Sequence, residues 1–174
     1  MNFDLNHARQ ILHHTPVVIR SQLQNLDSVW IYSNEGEGTW SPFDILGHLI
    51  HGEKTDWMER LQIILAESGN KTFTPFDRFA QFEENKDKKL PELLDLFDKL
   101  RAANLQKLDT LNIKNEDLDR KGIHPALGEV TMRNLLSTWV VHDLGHIAQI
   151  HRVMAKQWKS EVGPWLEYLP ILTR

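Results

Sequence analysis

Apolar residues recur along most of the chain at the three- and four-residue spacing of amphipathic helices, and almost nowhere with the strict alternation of a strand. In the stretch 3–30, Leu5, Ile11, Leu12, Val18, Leu23 and Leu26 mark a first helix. Pro16 falls inside it, where a proline forces a kink or a restart. The polar, glycine-bearing SNEGEGTW is a loop. A strong start signal follows: Ser41 as cap, Pro42 at the first helical position, and Asp44 three residues after the cap. A second helix is predicted from about Pro42 to Glu67. TFTPFDRFAQFEENKDKK is an aromatic-bearing connector with room for a short helix, and LPELLDLFDKLRAANLQKLDTL is a third amphipathic helix. NIKNEDLDRKGIHPALGEV reads as a loop with weak strand content at most. Thr131 caps a fourth helix running to about Gln157, and the tail VGPWLEYLPIL carries too much proline for a long helix. The pattern predicts an all-α four-helix bundle with a long connector between helices 2 and 3, as a single domain over 1–174. That connector leaves a simple up-down order open.

The bulk numbers narrow the partners. The chain has 174 residues, a net charge of −4 and a pI near 6.1, which gives no support to nucleic-acid or anionic-membrane binding. It has no cysteine, which excludes disulfides, thiolate metal sites and a cysteine nucleophile. MNFDLNHARQ lacks the apolar core of a signal peptide, and no apolar run approaches the ~18 residues of a membrane span. A soluble cytoplasmic protein is the expectation.

The candidate chemistry is concentrated in HDLGHIAQIH, residues 142–151, which holds three of the nine histidines. At 100° per residue, Leu135, Thr138, Trp139, His142, His146, Gln149 and Val153 share one face of the fourth helix, while His151 lies opposite His142 and is expected exposed. Two imidazoles one turn apart can reach a common divalent ion. The plainer alternative is a pair of buried histidines bonded to neighbours. Burial of both in an apolar stripe favours the metal reading, because each must be satisfied. Gly145 between them is expected to make room for a ligand or for a closely packed helix. A third ligand must come from elsewhere. His48 and His51 of GHLIHGE share a face of the second helix, and Glu53 falls within its apolar stripe; the wheel does not choose among them. His7, His13, His14 and His124 are expected on the surface or in loops. HDLGH has Asp where a zincin has Glu, paired Glu-x-x-His motifs of a di-iron bundle are absent, and so is a serine nucleophile elbow.

WSPFDILGHLIHGE followed by LLSTWVVHDLGHIAQIHRVM resembles the DinB-like superfamily, most strongly over residues 40–60 and 131–155. The resemblance matches the family's early HL histidine to His48 and its H-x-x-x-H pair to His142 and His146, and so ranks His48 above His51. It implies a four-helix bundle holding one divalent metal, zinc or nickel, through these three histidines, commonly as a homodimer. Relatives of this kind include S-transferases acting with bacillithiol or mycothiol and a maleylpyruvate isomerase.

Three neutral histidines leave an open coordination position, as in catalytic zinc sites. A water activated there, or a low-molecular-weight thiol cosubstrate bound as thiolate, would attack a small-molecule substrate. His51, Glu53, Asp143 and Gln149 are candidates to orient the ligands or move protons. Asp143 lies about 100° from His142 on the wheel, so it also suits a neighbouring interaction. The functional expectation is a metal-dependent enzyme, an S-transferase or a hydrolase. The alternative is a non-catalytic metal-binding or stress-related protein, marked by a fourth protein ligand or by the absence of a pocket.

Overall fold

Two of the long helices, those capped by Ser41 and Thr131, begin where the sequence marks them, in a computed structural model that describes residues 1–173. Helix α1 spans Leu5–Leu23, with the Asp4 side chain accepting from the His7 backbone N–H. A short α2 covers Ser28–Tyr32. Helix α3, Pro42–Thr55, starts with a reciprocal capping box between Ser41 and Asp44, and α4 follows at Trp57–Leu65. The connector holds a short α5, Ala80–Asn85, before α6 at Leu90–Thr110. Helix α7 runs Met132–Lys156, capped by the Thr131 side chain on the Asn134 N–H. The tail forms two 3-10 turns, Gly163–Tyr168 and Pro170–Leu172.

Three expectations need correction. The first helix stops at Leu23, because Asn25 takes φ 63° and turns the chain into α2. It does not restart at Pro16. The second helix is broken at Asp56, whose φ of −116° and ψ of −79° leave helical geometry. Thr55 turns its hydroxyl back onto the His51 carbonyl at 2.9 Å beside this break. The segment expected as loop contains a hairpin, β1 Lys121–His124 and antiparallel β2 Gly128–Thr131, with Lys121 opposite Thr131 and His124 opposite Gly128. The connector adds to it: Phe73 N–H donates to the Ile123 carbonyl and Ile123 N–H to that of Lys71, both at 2.9 Å. Gly122 permits this approach, since a Cβ there would lie 2.5 Å from the Phe73 ring.

The helix order follows from two apolar clusters, one at each end of the bundle. Leu12, Trp57, Leu61, Leu105, Leu108, Met132 and Trp139 belong to one; Ile19, Leu23, Ile45, Ile50, Leu90, Phe97, Ile150 and Val153 belong to the other. Read in chain order, α1 and α7 run from the first cluster to the second, and α3–α4 and α6 run from the second to the first. Helix α1 packs on α6 and α7, and α3 packs on the same two. Successive helices α3–α4 and α6 are thus parallel neighbours. The chain must therefore climb back the length of the bundle between them, about 30 Å at 1.5 Å per helical residue. The long connector, residues 66–89, is what that return requires.

Between the two clusters lies a polar layer centred on Arg101, 1% exposed. Its Nη1 donates to Asp143 Oδ2 and to the Leu12 carbonyl, each at 2.6 Å, and its Nη2 to Glu53 Oε1 at 2.8 Å and Asp143 Oδ1 at 3.1 Å. Leu12 is the residue whose carbonyl would accept from position 16, where proline has no N–H. The donor that Pro16 lacks is thus supplied by another helix. Asn104, one turn along α6, does the same at the second discontinuity. No backbone bond joins Trp57 N–H to the Glu53 carbonyl; Asn104 Nδ2 donates to that carbonyl at 2.7 Å and to Glu53 Oε2 at 2.9 Å. Burial alone would lower the Arg101 pKa, but Glu53 and Asp143 outweigh it and hold it above its ordinary value.

Truncating Arg101 to Ala should cost about 3–5 kcal/mol, because two buried carboxylates and a carbonyl lose their donor together; urea titration reads this directly. A second effect depends on pH. Glu35, in the loop before α3, accepts from Arg152 of α7 at 2.8 and 2.7 Å and contacts Lys156 at 2.8 Å. The Arg152 hydrogen bonds foremost hold its carboxyl at about 2. Its contribution is therefore complete above the ordinary carboxylate range and lost as pH falls from about 4.5 towards 2. The stability difference between wild type and Glu35→Gln should shrink steadily from pH 5 to pH 2.5.

Candidate metal centre

Helices α3 and α7 are antiparallel neighbours, and their facing surfaces carry His48 on one side and His142 and His146 on the other. The ring nitrogens converge. His48 Nε2 and His146 Nε2 each lie 3.1 Å from His142 Nε2, and one nitrogen from every ring is within 4.8 Å of the others. Burial pushes His48 and His142 down to about 3 each, with the neighbouring imidazoles adding to the effect, and it lowers His146 as well. All three rings are neutral near pH 7, with lone pairs available.

Tautomer matters for such a cluster. Gln149 Oε1 lies 2.8 Å from His146 Nδ1 and, as an amide oxygen, can only accept. The proton is therefore on Nδ1, and the Nε2 lone pair faces the other rings. The Nδ1 atoms of His48 and His142 are buried without a partner. Three imidazoles meeting through their Nε2 atoms satisfy one another poorly, since neutral rings share too few protons among three such contacts. A tetrahedral ion with bonds of about 2.0–2.1 Å sets its ligands roughly 3.3–3.4 Å apart, close to the 3.1 Å found for two of the pairs. Donor type, spacing and orphaned polarity all fit one divalent ion. Among the described residues no fourth histidine, cysteine or carboxylate joins the group.

Aromatic rings shield the cluster. Trp40 packs 4.9 Å from the His48 ring, and Phe76 of the connector meets His48 edge-on at 5.4 Å. Trp57 meets His142 edge-on at 5.2 Å and stacks on Trp139 at 5.6 Å. Trp139 Nε1 donates to Glu53 Oε1 at 3.1 Å, so the rings behind His142 are tied to the Arg101 layer. One side stays open: a cleft of about 300 Å³ begins at His48 and His142 and extends past Trp57, Phe73 and Leu135 toward the hairpin.

The other residues singled out in the sequence fall as follows. His51 is buried, with Nδ1 2.8 Å from Glu84 Oε1, and Lys54 binds the other oxygen of Glu84 at 2.7 Å. Glu53 and Asp143 make no hydrogen bond to the three histidines; both are fully committed to the Arg101 layer. Gln149 touches His146 directly. His151 is on the far side of α7 as expected but half-buried, 3.1 Å from Gln22 Oε1. His7, His13 and His14 are exposed, whereas His124 is half-buried in the cleft wall. Gly145 makes room for nothing: it is exposed, and a Cβ there would meet no atom within 4 Å. The close approach occurs at Gly47, where a Cβ would lie 2.3 Å from Gln81 Oε1.

Sequence reasoning missed Arg101, Asn104, Asp56 and Arg60. A signal for the first existed, because Leu90, Leu94, Phe97, Leu105 and Leu108 form the buried stripe of α6 and position 101 continues it. A charged residue at an apolar station of a helix asks for buried partners of opposite charge. Asp56 and Arg60 sit at a helix break that no local pattern announces.

The comparisons with known proteins agree with this architecture. The family model for the DinB superfamily matches residues 6–150. No curated protein matches the sequence. A solved structure of YfiT from Bacillus subtilis, described as a probable metal-dependent hydrolase with an unusual four-helix bundle topology, superposes with a TM-score of 0.71 at 19% identity, over 91% of this chain and 87% of that one. With the family model spanning most of its length, the chain belongs to the DinB superfamily.

Proposed function

We propose that the protein is a metal-dependent enzyme, a hydrolase of small molecules, whose single divalent ion is held by His48, His142 and His146. The observation that carries this reading is the meeting of three neutral imidazoles at the mouth of a cleft, with no fourth protein donor among the described residues. A structural site closes its coordination with protein, whereas a catalytic one keeps a position for water or substrate. The description of the YfiT structure as a probable hydrolase supports the choice of reaction.

When bound, the ion supplies Lewis acidity toward a substrate carbonyl or a water at the cleft mouth. The protein does the rest. Gln149 fixes the His146 tautomer and ring angle. Trp40, Phe76 and Trp57 keep bulk water from the other sides. Asp56 lines the same cleft, and burial, opposed by Arg60, raises its carboxyl to about 6. At that value it changes charge near neutral pH on the side of the cleft where it pairs with Arg60 at 2.6 Å. An S-transferase acting with a thiol is the second reading and rests, like zinc or nickel and a homodimer, on the family resemblance alone; a cytoplasmic location is proposed from the bulk character of the sequence.

Elemental analysis of tag-free protein tests the centre. About one zinc or nickel per chain is expected, with His142→Ala reducing it to background. Absence of metal, with none taken up from added zinc or nickel, overturns the proposal. Gln149→Leu should keep the fold and weaken metal affinity by about 10–100-fold, read by competition with a chelator. Ester and amide hydrolysis should require the ion; turnover seen only with an added thiol would move the assignment to an S-transferase.

A further inference from the structure

The cleft beside the three histidines has a second pole. Arg60 of α4 is 8% exposed and lies in its wall. Its guanidinium packs 5.3 Å over the Phe73 ring. Asp56 Oδ1 approaches its Nε to 2.6 Å, yet off the N–H direction, so charge rather than a directed hydrogen bond holds the pair. Neither terminal nitrogen of Arg60 donates to any described residue. The stem is buried and the fork is left open to the cleft, where water meets it and a ligand can take the water's place.

A second donor stands in the same wall. His124 Nδ1 accepts from the backbone N–H groups of Ala126 and Leu127, each at 3.1 Å, in the hairpin turn. That fixes the ring proton on Nε2 and makes His124 a neutral donor there. Burial, and then the positive charge of Arg60, lower its pKa, in accord with a neutral ring. Helix α7 gives the scale. Asn134, which also lines the cleft, stands eight residues before His142, about 12 Å along the helix axis. Trp57, Phe73, Leu127 and Leu135 line the cleft with apolar surface.

Resting on the proposed reaction at the three histidines, we infer that the substrate is a small, largely apolar or aromatic molecule carrying a carboxylate, which Arg60 grips at the hairpin end. The planar fork of arginine matches a carboxylate through two parallel N–H bonds. The apolar walls hold the body of the molecule, and its reactive bond reaches the mouth at His48 and His142. A cleft of about 300 Å³ suits a small molecule.

The test uses two probe pairs, benzoate with benzamide and 3-phenylpropanoate with 3-phenylpropanamide. Each is titrated by calorimetry and NMR into metal-loaded wild type, Arg60→Met and Arg60→Gln, and into metal-free His142→Ala. The acids should bind wild type at least about tenfold tighter than the amides, the scale of one charge-assisted contact. Both Arg60 variants should lose that preference while keeping amide affinity, and agreement between them separates lost recognition from misfolding. His142→Ala should keep the preference, which separates carboxylate capture by Arg60 from ligation of the ion. It also leaves the anion site testable if the metal proposal fails. Equal affinity for acid and amide, binding of neither, or a preference that survives in both Arg60 variants or vanishes in His142→Ala would each overturn the inference.

Discussion

One guanidinium, buried at the middle of the bundle, must satisfy three groups that cannot satisfy themselves. The Leu12 carbonyl has lost its helical donor to Pro16, and Glu53 and Asp143 are carboxylates with no exposure to water. These three groups come from α1, α3 and α7, and Arg101 itself from α6, so every long helix of the bundle meets at this residue. An apolar replacement of one member alone would strand the others, which is why such a network is far more costly to break than its net contribution suggests. The apolar clusters on either side supply most of the stabilising burial. The polar layer decides how the helices are set against one another.

The candidate centre borrows its rigidity from that layer. Asp143 is anchored to Arg101 and sits between His142 and His146 in the chain, so the helix carrying both rings is pinned at the point where they project. Glu53, anchored to the same guanidinium, lies one turn beyond the helical residues around His48 and holds Trp139 against Trp57, which in turn edges His142. Ligands held this way need little reorganisation to meet an ion, a condition for tight and selective coordination. The parallel placement of α3–α4 and α6 has its own role, because the returning connector brings Phe73 and Phe76 to the cleft.

Much of this was legible in the sequence. Capping residues at Ser41 and Thr131 and the helical spacing of apolar positions place the long helices to within a few residues at most ends. The wheel puts His142 and His146 on one face, and the resemblance, not the wheel, singles out His48 as their partner. What stayed hidden depends on tertiary contacts. Pro16 looks like a break until a side chain 85 positions later replaces its missing donor. The break at Asp56 is stabilised by Asn104 and leaves no local mark. Glu53 looks like a candidate for the site because it falls in an apolar stripe, and Asp143 because it adjoins His142 in the chain. Only the position of Arg101 reveals their role.

The carbonyl freed by Pro16 also acts as a registration mark. An uninterrupted helix presents no backbone polarity on its sides and can slide or rotate against its neighbours at the cost of side-chain fit alone. Helix α1 cannot. Moving it by one residue or one turn would carry the Leu12 oxygen away from Arg101 and into apolar surroundings, an unsatisfied buried acceptor worth about 1–3 kcal/mol. A residue usually regarded as a helix breaker thus keys the first helix of the chain to a single alignment, and with it the face that α1 offers to α7 beneath the histidines.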